Sequence, residues 1–188
     1  MKLNIRLRNK LKMKLSLTTF ATSVMLISTL FSQALYAHVM VAQKGTLNVA
    51  EDGVYMVISL PVSAFSAIDD DNDGKLSAAE FTLHRLEIIK TVHSKITLKD
   101  ENGPLALQGI MLSPVTSHHS PQTPSSQLVV MGRFTLATAD SALEYQVSLF
   151  GKGEHEDTLA ITATRKGKSD KHTFELSEKN SKVSLFSE

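Results

Sequence analysis

The chain contains no cysteine. That excludes a disulfide framework, so a folded domain must be held by its core alone. It also excludes the lipid-bearing cysteine of a bacterial lipoprotein. Missing too are G-x-S-x-G, H-E-x-x-H, a glycine-rich phosphate loop and a dinucleotide fingerprint. No internal repeat is present. These absences leave no catalytic residue to nominate, and the expectation is a protein that is not an enzyme. The first 37 residues lack acidic side chains altogether. There Lys2, Arg6, Arg8, Lys10, Lys12 and Lys14 form a positive head, residues 15–31 a mixed apolar stretch, and residues 32–37 supply small side chains. That order predicts a signal peptide over 1–37, cut after Ala37, with a cut after Ala34 as the competitor. Leu7 separates Arg6 from Arg8, so the signal is not of the twin-arginine kind. Thr18, Thr19, Thr22 and Ser23 interrupt the apolar stretch and argue against a lasting membrane span. The expected location is therefore periplasmic or secreted, with no span after cleavage.

Loss of that segment changes the charge balance. The whole chain carries 20 basic and 19 acidic residues, but residues 38–188 carry 14 against 19, a net charge of −5. A mildly acidic protein has no general attraction for nucleic acid or anionic membrane. A cation is the better-suited partner. Roughly 150 residues suffice for one domain with a real core, and residues 38–188 are read as that domain.

The densest information lies in Asp69-Asp70-Asp71-Asn72-Asp73-Gly74-Lys75-Leu76-Ser77-Ala78-Ala79-Glu80. These twelve residues satisfy D-x-[DN]-x-[DN]-G-x5-E at every constrained position. Calcium is a hard cation that takes six to eight oxygens, which such a loop supplies from positions 1, 3, 5, 7, 9 and 12. The expected ligands are the carboxylates of Asp69, Asp71 and Asp73, the backbone carbonyl of Lys75, Ser77 directly or through water, and Glu80 with both oxygens. Gly74 falls where the chain must turn sharply, at the positive φ that glycine reaches without a Cβ clash. Leu76 faces away from the ion and can anchor the loop in a core. The bland alternative is a turn followed by a capped helix, since Ser77-Ala78-Ala79-Glu80 is also a capping box. That alternative does not demand acids at positions 1, 3 and 5, glycine at 6 and glutamate at 12 together.

The segment resembles an EF-hand over the whole loop. Outgoing residues 81–92 read as a helix with Phe81, Ile88 and Val92 on one apolar face. On the incoming side, Phe65 and Ile68 fit one side of a helix of at most about two turns, with Pro61 in its first turn. With its signal, the Ala37–His38 junction and the Leu60-Pro61-Val62-Ser63 entry, the chain resembles small exported bacterial proteins with a single EF-hand loop. The resemblance implies calcium binding and no catalytic residues.

Around this insertion, at about 61–93, β signals dominate. Extended runs are expected at 39–43, 46–50, 54–60, 95–99, 105–114, 128–137, 143–150, 159–164, 174–176 and 183–186. Residues 100–104 form a hairpin turn whose return strand is 105–114, and Gly132 suggests a bulge or a close approach. Residues 115–127 lack periodicity and read as a loop. The fold class is mainly β, an antiparallel β-sandwich-like domain with an inserted EF-hand-like helix-loop-helix.

A rival metal reading starts from His38. Cleavage after Ala37 would leave a histidine whose α-amine and ring nitrogen can grip copper, with His118, His119 or His155 as partner and Met40 as a soft ligand. No spacing constrains that set as the loop constrains calcium. His84 and His93 are nine apart on the helix, poor spacing for two ligands on one face. The leading expectation is an exported Ca2+-binding protein in which calcium acts as a structural clip or orders an interaction. The partner would be an envelope protein, or a second copy through self-association of two EF-hand loops.

Overall fold

The computed structural model describes residues 42–116, 123–138, 140–169 and 171–186. The expected signal segment, His38, Met40, His118 and His119 lie outside the described residues.

Among the described residues, ten strands and one α-helix follow one another: β1 (Lys44–Ala50), β2 (Gly53–Pro61), α1 (Ala78–Lys95), β3 (Ile96–Asp100), β4 (Gly103–Pro104), β5 (Leu107–Pro114), β6 (Gln127–Thr135), β7 (Leu143–Val147), β8 (Thr158–Arg165), β9 (Lys171–Ser177) and β10 (Lys182–Leu185). The fold is mainly β with one inserted helix. Alternation drives the strands: Leu47 and Val49 on β1, Leu159, Ile161 and Ala163 on β8, and Leu143, Tyr145 and Val147 on β7 all point inward. Six strands in the order β5-β6-β2-β1-β8-β9 make one sheet, and β10-β7-β3-β4 make the other. The inner faces share one core, within which the Tyr145 hydroxyl of the smaller sheet donates to Met56 Sδ of the larger at 3.4 Å. Helix α1 lies against β3 and β5. Ile88 and Val92 are buried there and Phe81 is half-buried against the core, while Leu83 and Leu86 face solvent.

Three expectations need correction. The sandwich is not wholly antiparallel, because β1 runs parallel to β8 from Lys44↔Ala160 to Val49↔Arg165. The turn at 100–104 does reverse the chain, but β4 is only two residues long. The chain then crosses to the larger sheet, where β5 pairs with β6. The incoming helix shrinks to a single 3-10 turn, Val62–Ala64. Pro61 and Phe65 on either side are extended, with ψ of 147° and 139°, and Ala67 is left-handed at φ 57°. Burial of Phe65 and Ile68 is met by this irregular path. At Gly132 the outcome is close approach: an added Cβ would sit 2.8 Å from Leu107 Cδ1, and the bulge lies opposite, between Gln108 and Met111 of β5.

Tyr145 is wholly enclosed, and burial pushes its phenol well above the ordinary value near 10. A raised acid is neutral in the folded protein while the unfolded chain already ionises. Stability is therefore retained below pH about 10 and falls above it, by up to about 1.4 kcal/mol per pH unit. Tyr145→Phe is expected to remove this group's share of the alkaline loss, while staying within about 1.5 kcal/mol of the parent at pH 7. Urea melts of both proteins at pH 7 and pH 11 measure it, and equal alkaline losses would refute it.

Candidate metal centre

The loop 69–80 sits at the end of the sandwich where β2 stops and α1 begins. Its shape follows from side chains that bond their own backbone. Asp69 Oδ2 accepts the Gly74 N–H at 2.9 Å, and Asp69 Oδ1 and Asp71 Oδ1 share the Asp73 N–H, each at 3.2 Å. Asp73 Oδ1 accepts the Lys75 N–H at 2.7 Å. These bonds curl the chain so that one carboxylate oxygen each from Asp69, Asp71 and Asp73 lies within 4.8 Å of the others. Gly74 supplies the turn with φ 78°, and Asn72 makes a second left-handed step at φ 59°. Asparagine is among the few residues that tolerate that conformation.

Glu80 stands apart from the three-aspartate group. Its Oε1 accepts the Asp70 N–H and its Oε2 the Ser77 N–H, both at 2.8 Å. The Ser77 Oγ in turn accepts the Glu80 N–H at 3.3 Å, so the capping box is complete. Glu80 is buried and joins the start of the loop to the start of α1. The Ser77 hydroxyl, followed by the N–H groups of Ser77 and Asp70, holds its carboxyl down to about 2. Asp71 behaves in the opposite way. The Asp73 N–H pulls it down, but desolvation and the charges of Asp73 and Glu80 outweigh that, and its carboxyl lies above the ordinary value. Negative charge is therefore concentrated here beyond what the loop alone neutralises.

The donors fit a metal ion. Oxygens on opposite sides of calcium lie at most about 5 Å apart, given bonds of about 2.3–2.6 Å. The three aspartates meet that limit without rearrangement. Carboxylates are hard donors, suited to calcium, magnesium or manganese rather than to copper(I). Lys75 and Ser77 direct their N–H groups to Asp73 and Glu80, and the convergent group itself is Asp69, Asp71 and Asp73. Asp70, which the pattern does not use, is instead held by His84 Nε2 on α1 at 2.9 Å.

The loop is anchored from behind. Ile68 and Leu76 are each 2 % exposed and Phe65 is 6 % exposed. Leu76 also pairs through its backbone with Ser125, in an isolated antiparallel bridge ahead of β6: Leu76 N–H to Ser125 O is 2.8 Å and Ser125 N–H to Leu76 O is 3.0 Å. No sequence signal pointed to Ser125. Beside the loop, a cavity of about 280 Å3 is lined by Val62, Ser63, Phe65, Asp69, Asn72 and Lys152.

A larger cleft of about 520 Å3 lies at the other end of the sandwich, among Lys99, Asp140, Glu144, Arg165 and Phe186. Its charges engage one another: Lys99 with Glu144 at 2.8 Å, and Asp140 with Lys168 at 2.7 Å and Arg165 at 3.6 Å. The hydrogen bond from Lys99 holds Glu144, and that from Lys168 holds Asp140, below the ordinary carboxylate range. Among the described residues, the one cluster of three or more acidic or histidine ligand atoms is Asp69, Asp71 and Asp73. His155 is exposed, its Nε2 3.6 Å from Glu154 Oε1. No protein-family model matches the chain, and no curated protein matches it significantly.

Proposed function

We propose that this is an exported protein that binds one calcium ion in the loop 69–80, where the ion serves as a structural or interaction-ordering clip and not as a catalyst. The observation that carries the reading is the convergence of Asp69, Asp71 and Asp73 at the spacing that the twelve-residue pattern requires. Asp69, Asp71, Asp73, Lys75, Ser77 and Glu80 would hold the ion. The protein's own share of the work is to keep four aspartates within five residues despite their repulsion. Loop hydrogen bonds, the capping box and the buried Ile68 and Leu76 do this, and a divalent cation would relieve the remaining charge. Isolated extracellular sites of this kind bind at roughly 10⁻⁴ to 10⁻³ M, a range that suits a compartment open to external calcium.

Self-association by edge-to-edge pairing of two loops is disfavoured as a partner mode. The N–H and C=O of Leu76 are already taken by Ser125 of the same chain. An envelope protein partner remains compatible with an exposed loop.

The test is calorimetric titration of the protein purified after export, beginning at its native N-terminus, with Ca2+ and then Cu2+. One calcium per chain is the expected result. Absence of calcium heat, together with tight copper binding lost when a residue is added before His38, would overturn the reading in favour of a copper grip at the N-terminus.

A further inference from the structure

We propose that calcium loading of the loop is transmitted to the start of β6 through the Leu76–Ser125 bridge, so that the ion fixes a strap joining β2, β5 and β6. This inference rests on the calcium reading above and adds to it the segment that the ion controls.

Two peptide groups join the loop to Ser125. Each is planar and trans, so its C=O and N–H point in opposite directions and move together. The peptide between Lys75 and Leu76 carries the Lys75 carbonyl, the backbone ligand expected at the ion. Its N–H donates to Ser125 O at 2.8 Å. The peptide between Leu76 and Ser77 carries the Leu76 carbonyl, which accepts the Ser125 N–H at 3.0 Å, and the Ser77 N–H, which donates to Glu80 at 2.8 Å. Both groups thus have one end on the expected ion site or its glutamate and the other on Ser125. An ion that immobilises Lys75 O and Glu80 removes the freedom of both planes. A cation on the Lys75 carbonyl also polarises that peptide and makes its N–H a better donor.

Ser125 passes the constraint on. It is 2 % exposed, and opening the bridge would leave its N–H and C=O in a buried position without their partners. Its hydroxyl lies 2.7 Å from Val115 O and 2.6 Å from Gln127 O, and its Oγ accepts the Gln127 N–H at 3.2 Å. The next residue, Ser126, accepts the Val62 N–H at 2.9 Å, and Gln127 O accepts the Val115 N–H at 2.9 Å. One short stretch therefore ties the 3-10 turn after β2, the end of β5 and the start of β6 to the back of the loop. Linkage makes the coupling reciprocal: whatever weakens the strap weakens calcium binding by the same factor.

The experiment is NMR-detected amide hydrogen exchange on the purified protein and on Glu80→Gln, with and without calcium, alongside calorimetry of each. At calcium ten times its dissociation constant, an opening that releases the ion becomes roughly tenfold rarer. The proposal expects that slowing at the Leu76, Ser125 and Gln127 amides of the parent and none in Glu80→Gln. Calcium heat with protection confined to 69–75 and 77–80 would overturn the transmission and leave the site standing. Protection of Ser125 and Gln127 that persists in Glu80→Gln would overturn it by placing its source elsewhere. No calcium heat in the parent would overturn the site and the transmission together.

Discussion

A Glu80→Gln protein is expected to melt at the same temperature with and without calcium, whereas the parent melts higher in calcium. At calcium ten times the dissociation constant, mass action adds about 1.4 kcal/mol to the parent. For a domain of this size that raises the midpoint by roughly 3–6 °C. Glutamine keeps the length of the arm and one carbonyl acceptor, but loses the charge and the second acceptor that a two-oxygen grip on the ion needs. Glu80 also receives the Asp70 and Ser77 N–H groups, so the metal-free variant should itself unfold more easily than the metal-free parent. Glu87→Gln on the same helix makes the same change of charge at an exposed site, where the group does no more than pair with Lys90 at 3.3 Å, and should keep the full calcium shift. Scanning calorimetry of the three proteins with calcium or chelator decides the matter. A calcium shift that survives in Glu80→Gln would remove Glu80 from the site.

Leu76→Ala is expected to cost about 2–5 kcal/mol, the range for emptying a leucine site in a packed core. Leu76 is 2 % exposed and lies in the same cluster as Phe65, Ile68 and Ile88. A domain with about 5–15 kcal/mol in total would lose a large share of its stability. The change also loosens the loop from behind, so calcium affinity should fall although no ligand has been altered. Leu83→Ala is the matched comparison. Leu83 is a leucine on α1 that is 71 % exposed, and its loss should stay within about 0.5 kcal/mol. Chemical denaturation of both variants gives the comparison, and equal costs would show that the loop is not seated in the core as described.

The turn of the acidic loop 69–80 is the most legible part of the chain because its determinants are local. Twelve consecutive residues carry the acids, the glycine and the capping glutamate, and nothing distant must be known to place them. Strand positions were legible for a similar reason: alternation such as Leu159, Ile161 and Ala163 reports which face is inward. Alternation is silent on which strand lies alongside and in which direction. It therefore gave no hint that β1 takes β8 as a parallel neighbour, or that the chain after Pro104 leaves one sheet for the other. The spacing of three between Phe65 and Ile68 fits a helix. An irregular path with Ala67 in the left-handed region buries both side chains equally well. Ser125 was illegible for a different reason. Its partners are backbone groups of Leu76, Val115 and Gln127, and backbone atoms carry no residue code.

The position of β1 bears on the order in which the chain can be completed. It lies inside the larger sheet, between β2 and β8, although the first residue it meets on β8 comes more than a hundred positions later. A chain emerging from its N-terminus can form the β1–β2 hairpin early. One side of β1 then stays open until nearly the whole sequence has appeared. During that interval the unpaired edge of β1 is a template for any other extended chain, and closing so long a loop makes the final pairing slow. A polypeptide of this topology is thus kept from completing its larger sheet until its last third is available.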